Sequence, residues 1–171
     1  GLAGDEDGDG VADGDDACPG LDDEAWDLAA DGSRCFRVDL ADTSVGWETA
    51  REACEDYGGD LARISSVEDN DQLMEGTGEL DASRPSIWMG YNDLESEGSW
   101  VWSDGEATTY ENWKSGEPGD GTSDNCGILL FEDTGYGEWN DNDCTDGNGV
   151  IGGYACQVLL ATEDDTDTDT D

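Results

Sequence analysis

Between Gly116 and Cys126 the chain reads GEPGDGTSDNC, and within it Glu117, Asp120, Asp124 and Asn125 fall inside nine residues. The segment is too rich in glycine for a helix and too polar for a core. Oxygen-bearing side chains packed this closely on an irregular loop suit a hard divalent cation. Ca2+ takes about six to eight oxygens from carboxylates, amides and backbone and accepts loop geometry. Two further clusters offer the same chemistry. Trp139-Asn140-Asp141-Asn142-Asp143-Cys144 sets oxygen donors beside a cysteine, and Asn92-Asp93-Leu94-Glu95-Ser96-Glu97 follows a predicted strand. Without a cation the like charges of such loops repel one another, so Ca2+ is the expected cofactor.

A separate metal pattern stands near the start of the sequence. Asp5, Asp7, Asp9, Val11 (through its carbonyl), Asp13 and Asp16 fall at the ligand positions of an EF-hand loop, with Gly10 at the sharp turn. The run into Cys18-Pro19 resembles a thrombospondin type-3 repeat. An Asp at the last position, where a bidentate Glu is usual, points to modest affinity.

Composition removes most other chemistry. The 171 residues contain no histidine, which excludes Ser-His-Asp and Cys-His nucleophiles and imidazole metal ligands. No spacing singles out a glycosidase-type carboxylate pair, so the chain reads as non-catalytic. Six basic against 46 acidic residues leave a net charge of -40, a surface that repels phosphate backbones and anionic lipid heads. Nucleic acid is therefore not an expected partner, and no apolar run is long enough to span a bilayer. Six cysteines without a CxxC pair read as the disulfide framework of a secreted or extracellular protein, with many connectivities open. The first residue is Gly1 rather than Met, which reads as a processed form.

The elements that must position the oxygen donors lie in the middle of the chain. Residues 1–16 form an acidic, calcium-repeat-like segment, residues 17–160 carry all seven Trp and all six Cys, and residues 161–171 form an acidic Thr/Asp tail. That tail reads as a solvated spacer or as a site for O-linked sugar, which would make the protein a glycoprotein. Trp47, Ala50, Ala53, Cys54 and Tyr57 follow helical spacing and stop at Gly58-Gly59. Ser65-Ser66-Val67-Glu68 has the form of a capping box opening a second helix that runs to about Gly76. Short strands are expected at Ile87–Tyr91, Ser99–Trp102, Gly127–Phe131 and Gly153–Val158. Two helices followed by short strands indicate an α+β domain, and Trp100, Trp102, Trp113 and Trp139 read as core packing.

Read in order, Trp47…Cys54…Gly58-Gly59-x-Leu61-Ala62-x-Ile64, Trp88-Met89-Gly90-Tyr91-Asn92-Asp93, Trp100-Val101-Trp102, Gly116-Glu117-Pro118, Asn125-Cys126, Trp139-Asn140-Asp141 and Tyr154-Ala155-Cys156 resemble a C-type lectin domain of the long form. The resemblance implies a double-loop α+β fold with two helices, short antiparallel strands and three disulfides, Cys54–Cys156, Cys126–Cys144 and Cys18–Cys35. It also implies a calcium-dependent sugar site made by Glu117, Asp124, Asn140 and Asp141. In the family's Glu-Pro-Asn triplet the Asn also serves, and here that position is Gly119. The loop is one residue shorter than the commonest spacing, so that either Asp120 or a water molecule fills the gap. An auxiliary ion would fall to Asp93, Glu97, Asp120, Asp124 and Asn125.

Two functions follow as expectations. The first is a secreted, Ca2+-dependent carbohydrate-binding protein for adhesion or recognition. Its partners would be glycans, mannose-type because Glu-Pro stands where galactose-type relatives have Gln-Pro and because residues 115–125 hold no aromatic. The second is a structural subunit of an extracellular assembly or filament, self-associating through a Ca2+-stabilised lectin-like scaffold; the missing triplet Asn favours it.

Overall fold

A computed structural model describes residues 18, 21, 26–77, 80, 82–119, 121–132, 135–146 and 148–161. The EF-hand-like positions 5–16, Asp120 and the tail from 162 lie outside the described residues.

Ten elements follow in chain order: β1 (Asp27–Leu28), β2 (Arg34–Leu40), α1 (Trp47–Asp56), β3 (Asp60–Leu61), α2 (Val67–Gly76), β4 (Ser86–Asn92), β5 (Val101–Trp102), β6 (Cys126–Leu130), β7 (Trp139–Asn142) and β8 (Ile151–Leu159). Among the described residues the strands form one sheet in the order β1-β2-β8-β4-β6-β7, with β3 added to β8 and β5 to β4. The expected antiparallel pairing holds except between β4 and β8, which run parallel with Ile87 opposite Gly153 and Trp88 opposite Tyr154. The sheet is mixed.

Both helices fall where their periodicity placed them. α1 turns Trp47, Ala50 and Cys54 inward and ends before Gly58, whose φ of 86° favours a residue without a side chain. The cap of α2 lies one residue later than the Ser65–Glu68 frame: Ser66 is the N-cap and its side chain accepts from Asp69 N–H at 3.1 Å. The register shifts because Asp69, not Glu68, points inward. Its Oδ2 accepts from Ser65 N–H at 2.8 Å and from Arg34 Nη2 at 2.6 Å.

Burial of the large indoles is matched by hydrogen bonding. Trp47 Nε1 donates to Met89 O at 2.8 Å, Trp88 Nε1 to Val45 O at 2.7 Å and Trp139 Nε1 to Asn70 Oδ1 at 2.8 Å, so three large apolar surfaces are buried without an orphaned N–H. Tyr91 lies stacked between Trp102 and Trp113, with centroids at 4.4 and 5.7 Å, and meets the buried Trp139 edge-on. Trp102 and Trp139 are core residues as expected, while Trp100 and Trp113 are half-buried at its margin.

All three disulfides form as the resemblance implied: Cys18–Cys35, Cys54–Cys156 and Cys126–Cys144. By the chain-entropy argument the 102-residue separation of Cys54 and Cys156 contributes about 4 to 5 kcal/mol, and each shorter closure about 3. The Cys126–Cys144 bridge ties the start of β6, where the acidic loop ends, to the segment just after β7.

Candidate metal centre

Strands β6 and β7 run antiparallel with Cys126 opposite Asn142, Gly127 opposite Asp141 and Ile128 opposite Asn140. This register carries Asp141 to the edge from which the 116–125 loop departs. Asp141 is 8% exposed. The loop itself turns at Lys114, whose carbonyl accepts from Glu117 N–H at 2.9 Å, and the Glu117–Pro118 peptide is cis.

The carboxylates of Glu117 and Asp141 converge on Gly119. Gly119 N–H donates to Asp141 Oδ2 at 3.0 Å, and a methyl carbon built on Gly119 would stand 3.4 Å from Glu117 Oε2 and 3.7 Å from Asp141 Oδ2. Burial, then the Asp141 carboxyl beside it, holds the Glu117 carboxyl above the usual carboxylate range. Asp124 adds to this from further off, and the Lys114 ammonium opposes it. A bound cation would relieve like charges gathered this way.

The auxiliary group adjoins the first. Asp93 is 2% exposed; its N–H donates to Asn125 O at 3.2 Å and its Oδ2 accepts from Gly98 N–H at 2.7 Å. Partial desolvation and then the Asp93 and Asp141 carboxylates push the exposed Glu97 carboxyl up. The Asp141 carboxylate thus acts on both Glu97 and Glu117.

Three oxygens of the sequence-predicted residues are buried without a hydrogen-bond partner: Asp93 Oδ1, Asn125 Oδ1 and Asn140 Oδ1. An orphaned buried acceptor costs about 1 to 3 kcal/mol, and all three belong to residues proposed as ligands from the sequence. Hard carboxylate and amide oxygens are the donor set of hard cations such as Ca2+ rather than of soft, thiolate-seeking ones. Among the described residues no three carboxylates gather into a compact metal cage; the donors are mixed carboxylate and amide, and Asp120 is outside the description. The residues present fit a calcium ion.

The sequence-predicted residues are not brought together equally. Glu117 and Asp141 meet, and Asp124 stands across the loop with its Oδ2 3.4 Å from the Cβ position of Gly121. Asn140 precedes Asp141 in β7 and alternates to the other side of the strand. There it lines a cleft of about 160 Å³ with Asn142 and Asn148, whose amides bond each other at 2.8 and 3.4 Å. Asn140 is therefore not brought together with Glu117 and Asp141 here, although its Oδ1 is buried without a hydrogen-bond partner. Two contributors escaped the sequence reading: the backbone N–H of Gly119, which carries no residue-type signal, and Lys114. Lys114 is the one lysine of the chain, and its position just before an acid-rich loop was a usable signal.

Residues 43–153 match the family model of the Lectin C-type domain, and the chain belongs to that family. It is 31% identical over 120 residues to the human C-type mannose receptor 2, an alignment that covers 70% of this chain and 8% of the receptor. Lectin BRA-3 of Megabalanus rosa is 37% identical over 102 residues, 58% of this chain and 59% of that lectin. Among solved structures, the cow C-type carbohydrate-recognition domain of CD23, crystallised in the presence of GlcNAc2Man3 oligosaccharide, superposes with a TM-score of 0.65. It is 33% identical and covers 82% of this chain and 97% of that one. A calcium-independent type II antifreeze protein shares the fold at 24% identity, with a TM-score of 0.65 over 81% of this chain and 95% of that one. These relatives are lectins, receptors and recognition domains rather than enzymes, and the fold alone does not dictate calcium.

Proposed function

We propose that this chain is a non-catalytic, Ca2+-dependent carbohydrate-binding module that acts outside the cell in adhesion or recognition. The observation that supports this reading most directly is the convergence of the Glu117 and Asp141 carboxylates at Gly119. When bound, Ca2+ supplies the charge that offsets these carboxylates and open coordination positions for vicinal sugar hydroxyls. The chain's own residues fix the rest. Glu117, Asp124 and Asp141 set where negative charge accumulates and present acceptors to sugar hydroxyls. Asn140 offers an amide that can both accept and donate. Asp93, Glu97 and Asn125 make the auxiliary group, with Asp120 joining both sets by its place in the loop.

Mannose-type glycans are the proposed ligands, on the Glu117-Pro118 pair and the absence of an aromatic between 115 and 125; the oligosaccharide named for the CD23 domain is consistent with that class. Residues 5–16 are proposed as a separate calcium segment preceding the lectin-type unit of residues 17–160. Binding of the full chain to a glycan array, with and without Ca2+, and with Asp141→Ala, tests the reading. Calcium-dependent binding lost in Asp141→Ala is expected; binding that survives both changes would place the sugar elsewhere.

One observation favours a second reading, a calcium-stabilised structural scaffold. Gly119 has no side chain to offer a sugar, and its N–H is already taken by Asp141. Filaments or arrays in negatively stained native material, together with an empty glycan array, would decide for it.

A further inference from the structure

One cleft of the molecule takes no part in the metal centre. It opens between α2, the 110–112 segment and the 135–137 turn, holds about 360 Å³, and is walled by Val67, Asp71, Met74, Glu75, Tyr110 and Tyr136. None of its lining residues is cationic. Asp71 and Glu75 stand one helical turn apart and so share a side of α2. Tyr110 rests edge-on against the buried Trp139 at 5.6 Å, and Tyr136, 64% exposed, is braced edge-on by Phe131 at 6.1 Å.

The floor of the cleft is rigid. Asn70, 3% exposed, accepts from Trp139 Nε1 at 2.8 Å and donates to Gly137 O at 2.9 Å, and Asn112 Nδ2 donates to the same carbonyl at 2.7 Å. Rings and carboxylates are thus mounted on a fixed frame rather than on a loose surface. Burial, then Asp71, Glu68 and Asp69, hold the Tyr110 hydroxyl above its ordinary range, so the field of these acids reaches into the cleft.

We propose that this cleft binds an alkylammonium group, the ammonium held between the Asp71 and Glu75 carboxylates and the two tyrosine rings, its methylene stem along Met74 and Val67. An ammonium is drawn both to a carboxylate and to the negative face of an aromatic ring, and a methylene stem covers apolar wall while its head stays polar. A phosphate or carboxylate ligand would meet two like charges. A neutral sugar could donate hydrogen bonds to them but would gain no charge attraction. The ammonium comes either from a lysine of a partner protein or from a free polyamine. The inference stands apart from the calcium reading, since none of these residues is a metal-ligand candidate.

The test is a titration of the full, isotope-labelled chain in Ca2+, followed by amide NMR shifts at about 0.15 M salt, where charge attraction beyond about 8 Å is screened. The probes are Nα-acetyl-lysine methylamide, spermidine and, as the uncharged analogue, Nα-acetyl-norleucine methylamide. Saturable shifts centred on residues 67–75 and 135–137 are expected for the amines and not for the norleucine probe. Tighter binding of the lysine probe identifies a protein partner, and tighter binding of spermidine a polyamine. Asp71→Asn with Glu75→Gln should weaken binding by about tenfold or more, and Tyr136→Ala should weaken it where Tyr136→Phe does not. Glu48→Gln with Glu52→Gln on α1 removes the same charge elsewhere and should change nothing. Shifts that spread over the surface without saturating, equal weakening by the α1 pair, or equal binding of the norleucine probe would overturn the proposal.

Discussion

The backbone N–H of Gly119 is hydrogen-bonded to Asp141 Oδ2 at 3.0 Å. The bond ties the acid-rich loop to the end of β7 through a position where a side chain has room. A Cβ there would lie at ordinary contact distance from both carboxylates.

Gly119→Asn follows directly from that room. An amide set beside Glu117 and Asp141 restores the triplet that the family uses, with one more group for the ion and one for a sugar hydroxyl. Mannose-type binding should tighten by about 1 to 3 kcal/mol, roughly five- to a hundredfold, with calcium still required. Isothermal titration with a mannose oligosaccharide measures it. Unimproved binding would mean that the shortened loop already fills the coordination shell.

Glu117 gives a pH signature. A carboxyl raised in the folded state contributes stability below its unfolded value and loses that contribution as pH rises through the folded one. Burial and Asp141 raise Glu117, so in chelated protein its ionised form opposes folding at neutral pH. Glu117→Gln should therefore raise the Tm in EDTA at about pH 7 and lose that advantage as pH falls through the ordinary carboxylate range. With calcium present the same substitution should lower Tm. Calorimetry across pH, with and without EDTA, reads both signs, and a lower Tm for the variant in EDTA at neutral pH would count against the repulsion.

Chelation of the wild type should lower Tm and open the Gly116 to Cys126 loop to protease. The Asp141 carboxyl raises Glu117 and Lys114 offsets this only in part, and three oxygens are buried without a hydrogen-bond partner among the described residues. Limited proteolysis with mass mapping locates the cut. Identical melting curves in EDTA and in millimolar Ca2+ would remove the metal from the fold's stability.

A buried ion pair makes a prediction away from the site. Arg34 and Asp69 are 0% and 1% exposed and meet at 2.6 Å, while Arg34 Nε and Nη1 have no partner. Asp69→Ala leaves the buried guanidinium only Ser65 Oγ at 2.6 Å and the half-exposed Asp31 at 3.8 Å and should cost about 3 to 5 kcal/mol, and adding Arg34→Met should recover most of it. Urea denaturation of the two variants gives both numbers; no recovery in the double variant would show that Asp69 matters mainly through Ser65.

What the sequence made legible was whatever depends on residue type at short range. Helix α1 showed through the spacing of Trp47, Ala50 and Cys54, and the oxygen donors through their crowding. Strand β2 did not, because RCFRVDL buries its first three residues in succession, Arg34 among them, and so lacks alternation. Strand β7 was hidden for the opposite reason: WNDN is written in ligand residues, and its strand character comes from pairing with β6. The parallel contact of β4 with β8 joins segments more than sixty residues apart in the sequence, beyond any local pattern. At the site, Glu117, Asp124 and Asp141 were legible as acids. The Gly119–Asp141 bond was not, since a backbone donor leaves no mark in composition.

Strand β8 ends where β2 begins. Arg34 opposes Leu159, and Leu160 N–H donates to Ser33 O at 3.0 Å. Tension applied to these two neighbouring points would pull across the strands, along the direction of their hydrogen bonds, and so load one bond at a time. The pair would unzip through Cys35–Val158 and Phe36–Gln157 and then reach Arg37–Cys156, where Cys156 is covalently held to Cys54. Tension on a tethered molecule pulled this way would pass from Cys156 through the disulfide into Cys54 and back along residues 34–54, so the chain between Cys54 and Cys156, with β4, β6, β7 and the acid-rich loop, would stay outside the loaded path.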